Sequence, residues 1–187
     1  MIVRPATPSD VPAVLPMVEA ICELHAAWDS ARYATRDDVV DMYARWLPER
    51  AVDPRSVFLV AHEQGDGSRT SAAVDAGRPL LGFLVATVER AIPIYRVAEF
   101  GFIHDLWVEP AARSRGLGAM LVSVAIARFR EIGVAQIRLE TSLANEQARR
   151  LFTQSGFRVS TIDMLVEIEH GGSRSRGMIG RERACSH

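Results

Sequence analysis

The chain has 187 residues, 22 of them basic and 23 acidic, for a formal net charge of −1. Every basic residue is arginine, so Schiff-base chemistry, pyridoxal-phosphate anchoring, the Walker phosphate loop and the kinase phosphate lysine are excluded. Apolar residues at 48% and charged residues at 24% predict one globular domain with a real core, and the balanced charge gives no electrostatic reason to expect nucleic acid or an anionic membrane as partner.

In chain order, residues 2–6 read as a short strand. Thr7-Pro8-Ser9-Asp10 supplies helix N-cap chemistry ahead of Val14, Leu15, Val18 and Ile21 at helical spacing. A second helix is predicted from about Arg36, where Val39, Val40, Tyr43, Trp46 and Leu47 recur at helical intervals, with Pro48 near its end. Residues 56–62 read as a buried strand, 65–79 as a mobile hairpin loop rich in Gly, Ser, Ala and Asp, and 80–89 as the returning strand. After Pro93 bends the chain, 100–108 forms a further strand, in which alternation places Phe102, His104, Leu106 and Val108 on one face and Ile103, Asp105 and Trp107 on the other.

A turn containing Gly116-Leu117-Gly118 then opens a helix with Leu117, Met120, Leu121, Val124 and Ile132 on one stripe, ending near Gly133. Residues 135–141 are the next strand, 145–155 the next helix and 157–168 the last extended segment. The order implies a mixed α/β domain around one sheet. It is expected to span 1–170, with 171–187 a disordered Gly/Ser/Arg-rich tail. Cys22 and Cys185 make neither a metal motif nor a disulfide framework, which favours a reducing compartment and predicts no metal. The start of the chain lacks an apolar signal core and no apolar run approaches the ~18 residues of a membrane span, so a cytoplasmic protein is expected.

The chemistry-bearing segment is Arg113-Ser114-Arg115-Gly116-Leu117-Gly118-Ala119, between a strand and a helix. Glycines remove the Cβ atoms that would hold a ligand off the backbone, so several N–H groups can converge on one anion, and the helix adds its positive end. Such a site suits a pyrophosphate, although a Gly-x-Gly turn also serves as an ordinary tight connection. The dinucleotide fingerprint fails because Leu121 stands where its third glycine is required.

Arg113-x-x-Gly116-x-Gly118 resembles the signature turn of the Gcn5-related N-acetyltransferases. The preceding Leu106-Trp107-Val108-Glu109-Pro110, the later Asn145, Ala148, Leu151-Phe152 and Gly156-Phe157, and the opening Arg4-Pro5-Ala6-Thr7-Pro8 extend the resemblance over residues 2–168. It implies the family fold, a mixed and mostly antiparallel sheet splayed between its fourth and fifth strands and flanked by helices. It further implies an N-acetyltransferase that moves an acetyl group from acetyl-CoA, as cosubstrate, to a primary amine of a small molecule or peptide by direct attack in a ternary complex. A catalytically weak acyl-CoA sensor is the alternative.

By the resemblance, the N–H groups of Arg115, Gly116, Leu117, Gly118 and Ala119 bind the pyrophosphate, with charge from Arg113 and Arg115. The pantetheine arm runs along Leu106, Trp107 and Val108, a main-chain N–H near Leu106 stabilises the oxyanion, and Asn145 contacts the arm. Phe152 occupies the position where many members carry a tyrosine that protonates the CoA thiolate; phenylalanine cannot, and Ser155 is a speculative substitute. His104, with an unperturbed pKa of about 6.5, is the first candidate for general base, followed by Asp105, Glu99 and Glu140. Trp28, Asp29, Tyr33 and Tyr95 are expected to line the acceptor side, where aromatic faces and carboxylates favour a cationic amine. Family precedent admits a homodimer, though no interface is legible in the sequence.

Overall fold

In the computed structural model, residues 1–64 and 79–168 are described. The expected hairpin loop, apart from Pro79, and the expected tail lie outside the described residues.

A five-stranded sheet runs in the order β1-β2-β3-β4-β5: β1 Ile2–Pro5, β2 Ser56–His62, β3 Leu80–Arg90, β4 Glu99–Val108 and β5 Ile137–Leu139. Neighbours are antiparallel except β4 and β5, which are parallel. Helices α1 (Val11–Trp28) and α3 (Val39–Val52) cover one face, with the short α2 (Ser30–Tyr33) between them in sequence; α4 (Leu117–Ile132) and α5 (Glu146–Gln154) cover the other. The sheet is therefore the mixed, helix-flanked one expected.

β2 is buried along its whole length because both of its faces are covered: Val57, Leu59 and Ala61 pack under α4, whereas Phe58 and Val60 pack under α1 and α3. The junction from β1 to α1 is held by Asp10. Its carboxylate accepts two hydrogen bonds of 2.8 Å from the Arg4 guanidinium, and others of 2.8 Å from the Thr7 backbone N–H and hydroxyl. Burial alone would raise the Asp10 pKa, but these donors outweigh it and hold the group at about 2.

Several expectations change. Residues 8–28 are long and apolar enough by composition to cross a membrane, with mean hydropathy 1.2, contrary to the expectation that no run comes near that length. Their stripe of Val11, Val14, Met17, Val18 and Ile21 is buried against the sheet, the packing of a core helix. Pro48 lies inside α3, which continues to Val52. The buried stripe of α4 is Leu117, Leu121, Val122, Ala125 and Phe129, rotated from the predicted one, and Met120 is exposed.

β5 is only three residues long, and the predicted last strand does not form among the described residues: 157–168 pairs with nothing in the sheet. Its apolar side chains consequently stand in solvent, Met164 at 90% exposure and Val166 at 82%.

Candidate active site

The site is built where β4 and β5 part. β5 pairs with β4 only from Gly101 to Ile103, so the rest of β4 presents an open edge on that side. The Glu109 N–H donates to Leu81 on β3 at 2.8 Å. By alternation Trp107 also turns its backbone groups to β3, whereas Leu106 and Val108 turn theirs toward the gap. A ligand with an extended polar arm would find the Leu106 groups and the Val108 N–H there, since backbone donors and acceptors seek partners; the Val108 carbonyl is taken by Arg113.

The turn after β4 points at the same gap. Pro110–Ala112 forms one turn of 3-10 helix, and Gly116 caps α4 with φ of 80°, a left-handed conformation that glycine adopts without Cβ strain. Ser114 shares the left-handed region at φ 61°. No N–H from Ser114 to Ala119 has a backbone acceptor among the described residues, and those of Leu117 to Ala119 lie in the first helical turn, where no intrahelical partner exists. A Cβ on Gly118 would stand 3.0 Å from a Leu151 methyl, so the small residue also lets α5 approach. These donors and the helix's positive end fit an anion such as a pyrophosphate.

The two arginines are differently placed. Arg113 donates from Nε to the Val108 carbonyl at 2.9 Å and lies over the Trp107 ring at 4.8 Å, so it clamps the turn to the end of β4. Arg115 pairs with Glu63 at 2.8 Å on the surface. Asn145 is the N-cap of α5, its Oδ1 accepting from the Ala148 N–H at 3.0 Å. Phe152 is buried against Phe157 in the core under α4. Ser155 donates its hydroxyl to the Leu151 carbonyl at 2.9 Å, a helix-end bond.

The opposite face of β4 differs most from the sequence prediction. Val85 pairs with Asp105 but Ala86 pairs with Ile103, so His104 is the extra residue of a β-bulge. The bulge reverses the alternation beyond it. Ile103 joins Leu106 and Val108 on the α4 face, while Asp105 and Trp107 join His104 on the α3 face. The predicted partition of β4 is corrected accordingly.

Two neighbouring titratable groups thus meet α3. The His104 ring stands edge-on to Trp46 at 5.3 Å, and its Nε2 lies 2.7 Å from the Thr87 hydroxyl. Thr87 gives its single proton to Glu89 at 2.6 Å, so His104 Nε2–H is the donor to Thr87, leaving Nδ1 as the ring's acceptor. Burial lowers the His104 pKa from its ordinary value. Asp105, 9% exposed, accepts from the Tyr43 hydroxyl at 2.8 Å; burial pushes its pKa up to about 6, partly offset by that bond. The neighbouring Tyr43 hydroxyl and Cys22 thiol are also pushed up, chiefly by burial and then by the Asp105 charge.

The other candidates are dispersed. Glu99 sits at the start of β4, ion-paired with Arg55 at 2.6 Å and near Arg90 at 3.8 Å. Glu140 meets Arg32 of α2 at 3.4 Å, which draws α2 toward the end of β5. Trp28 and Tyr33 flank His25, with ring centroids 5.4 and 5.1 Å away, and the Asp29 carboxylate caps α2 through the Arg32 N–H at 3.2 Å. Tyr95 lies apart, on a groove beside Phe129 and Ile137. Tyr43, Thr87 and Glu89 were not singled out from the sequence, because only the α3 packing and the β3–β4 register bring them to His104 and Asp105.

The Acetyltransferase (GNAT) family profile matches residues 19–157, and the chain belongs to that family. Among curated relatives it is similar to a mycothiol acetyltransferase of Sanguibacter keddieii, 33% identical over 135 residues, 65% of this chain and 42% of that protein, so it spans less than half of that relative's length. It is also 28% identical to the uncharacterized N-acetyltransferase YhfO of Bacillus subtilis over 163 residues, 86% of this chain and 92% of that one. Among solved structures, a tetramutant of the BH1408 protein of Bacillus halodurans shares the fold at TM-score 0.73 with 19% identity, covering 90% of this chain and 100% of its own.

Proposed function

We infer that the domain transfers an acetyl group from acetyl-CoA to a primary amine of a small molecule or peptide, by direct attack within a ternary complex. The observation that carries this is the open edge of β4 beyond Ile103 leading into a turn whose N–H groups lack backbone acceptors. In this proposal the pyrophosphate lies on the N–H groups of Arg115 to Ala119, and the pantetheine arm takes the place of the departed β5 along Leu106 to Val108. Asn145 contacts the arm. Arg113 contributes by holding the turn rather than by touching phosphate. The acetyl name of the Sanguibacter relative supports acetyl as the group moved.

His104 Nδ1 accepts the proton that the ammonium must lose. Its low pKa keeps the ring neutral and ready at neutral pH, and Glu89, 3.7 Å from Nε2, stabilises the imidazolium that results. The amine nitrogen then attacks the thioester carbonyl carbon, the oxyanion is held by the Leu106 N–H, and the C–S bond breaks to release CoA thiolate while the new amide nitrogen gives its second proton to water, which returns a proton to the thiolate. Asp105, ionised above about pH 6, supplies the buried negative charge that draws a cationic amine to the α3 face. Trp28, Asp29 and Tyr33, at the corner of α1 and α2, line the approach. A cytoplasmic setting belongs to the same proposal, consistent with the absence of a cysteine pairing motif.

One observation favours a second reading. Phe152 is buried and carries no hydroxyl, so the family's thiolate-protonating tyrosine has no counterpart there, as suits an acyl-CoA sensor. Release of free thiol from acetyl-CoA across a panel of primary amines separates the two. The enzyme gives many turnovers with at least one amine; saturable binding without amine-stimulated turnover would leave the sensor.

A further inference from the structure

We propose that Glu89 and Thr87 are positioning residues: through a one-way chain of hydrogen bonds they lock His104 in the tautomer that leaves Nδ1 as the ring nitrogen able to take a proton. The catalytic consequence rests on His104 acting as the general base. The chain itself is a property of the folded protein and can be measured without substrate.

The chain is assembled by the pairing of β3 with β4. Thr87 and Glu89, two positions apart, continue the face of β3 that buries Phe83 and Val85 under α1 and α3. Thr87 stands opposite Phe102, and the bulge brings His104 diagonally onto it, Nε2 2.7 Å from the hydroxyl oxygen. Phe102 and Trp46 meet the imidazole edge-on at 5.1 and 5.3 Å and hold its plane. Thr87 is buried at 6% exposure, and its hydroxyl lies 2.6 Å from Glu89 Oε1.

The direction of the chain follows from the number of protons each group holds. A carboxylate can only accept, so the Thr87 hydroxyl gives its one proton to Glu89. The hydroxyl oxygen then meets His104 as an acceptor, and Nε2 must carry the hydrogen. A neutral imidazole has a single N–H, which leaves the lone pair on Nδ1. Glu89 thus sets the state of a nitrogen on the far side of the ring without meeting the acceptor amine, as a third group orients a base elsewhere in catalysis. The other nearby carboxylate, Asp105, accepts from Tyr43 and makes no bond to the ring. Arg50 of α3 bears on the ring with the opposite sign to Glu89 but bonds neither nitrogen. His104 keeps 27% of its side chain exposed, so a ligand can reach it.

The test is nuclear magnetic resonance of the full chain labelled with nitrogen-15 at its five histidines, at a pH where the ring is neutral. His104 is assigned by the signals lost in His104→Gln, and two-bond proton–nitrogen correlations give the ratio of Nε2–H to Nδ1–H. The parent should show Nε2–H. Glu89→Gln alters a half-exposed side chain and supplies an amide that donates as well as accepts, so the chain can run either way. The ratio should fall about tenfold or more, the weight of one hydrogen bond to a charged group. Thr87→Val keeps the side chain's shape and the Glu89 charge but breaks the chain, and should lower the ratio too; Thr87→Ser, which restores a hydroxyl, should hold the parent's tautomer. With an amine that the protein acetylates, kcat should fall about 10-fold to 100-fold in Glu89→Gln and Thr87→Val, the usual loss on removing a histidine's orienting partner. An Nδ1–H parent, a ratio that neither substitution moves, or a moved ratio with undiminished kcat where His104→Gln is impaired would overturn the proposal. A moved ratio with an unimpaired His104→Gln would instead uphold the chain and remove the general-base reading.

Discussion

The two sides of β4 are built in opposite ways. On the proposed cofactor side the groups invoked are backbone atoms of one contiguous stretch, Leu106 to Ala119, and their placement needs little beyond glycine conformation, a helix start and the early end of β5. On the proposed acceptor side they are side chains from β3, α3 and β4, brought together by a single inserted residue at His104. A backbone site tolerates most sequence change outside its glycines. A side-chain site assembled through a bulge depends on register, and one slip would move Asp105 to the other face.

The largest effect expected on the acceptor side is from His104→Gln. It should lower kcat by about 10²–10³-fold, within the usual range for removing a general base, and leave acetyl-CoA affinity intact. The parent's rate should fall as pH drops below the histidine's lowered pKa, and that acid limb should disappear in the variant; steady-state pH–rate profiles measure both. An unchanged profile would remove His104 from the proton path.

A smaller effect, about 10-fold to 100-fold on kcat/KM for a cationic amine, is expected from Asp105→Asn, again without change in acetyl-CoA affinity. Stability should move the other way. The folded pKa of about 6 lies above the ordinary 3.8, so this group stabilises the fold fully below about pH 3.8 and loses that contribution as pH rises through 6. The variant should therefore gain about 1–3 kcal/mol over the parent above pH 6, and the gain should vanish near pH 4 in denaturant titrations.

The control lies away from both sites. Asp10→Asn should cost about 2 kcal/mol at pH 7 while sparing acetyl-CoA binding, because Asp10 fastens β1 to α1. Its folded pKa of about 2 lies below 3.8, so the stabilisation is present above 3.8 and lost as pH falls through 2. Thermal unfolding from pH 7 downward should show parent and variant converging only at the acid end. If Asp10→Asn weakened cofactor binding as much as a turn substitution, the separation of fold from site would fail.

The difference between the two sides also decides what the sequence makes legible. The glycine turn, the strand before it and the helix after it are local patterns, so their order and approximate bounds can be read from residues 100–132 alone. The Asn145 cap and the Thr7-to-Asp10 junction are local in the same sense. The bulge is not: Phe102 to Val108 alternates plausibly in either register, and only pairing with Val85 and Ala86 shows that His104 is the extra residue. Tyr43 reads as one apolar position among several on α3, and nothing near it in sequence announces the carboxylate it meets, 62 positions away. The segment 157–168 carries a strand's composition but pairs with no strand among the described residues, because pairing is a property of two strands and composition reports only one.

The central claim is that the turn opening α4 is where acetyl-CoA is held. Titration calorimetry of the parent and Gly118→Glu with acetyl-CoA tests it most directly, since the new side chain puts a negative charge beside the proposed pyrophosphate site and crowds Leu151. The parent should bind saturably while the variant, confirmed folded by circular dichroism, shows no measurable heat. No binding to the parent at millimolar acetyl-CoA, or undiminished affinity in the variant, would contradict the account.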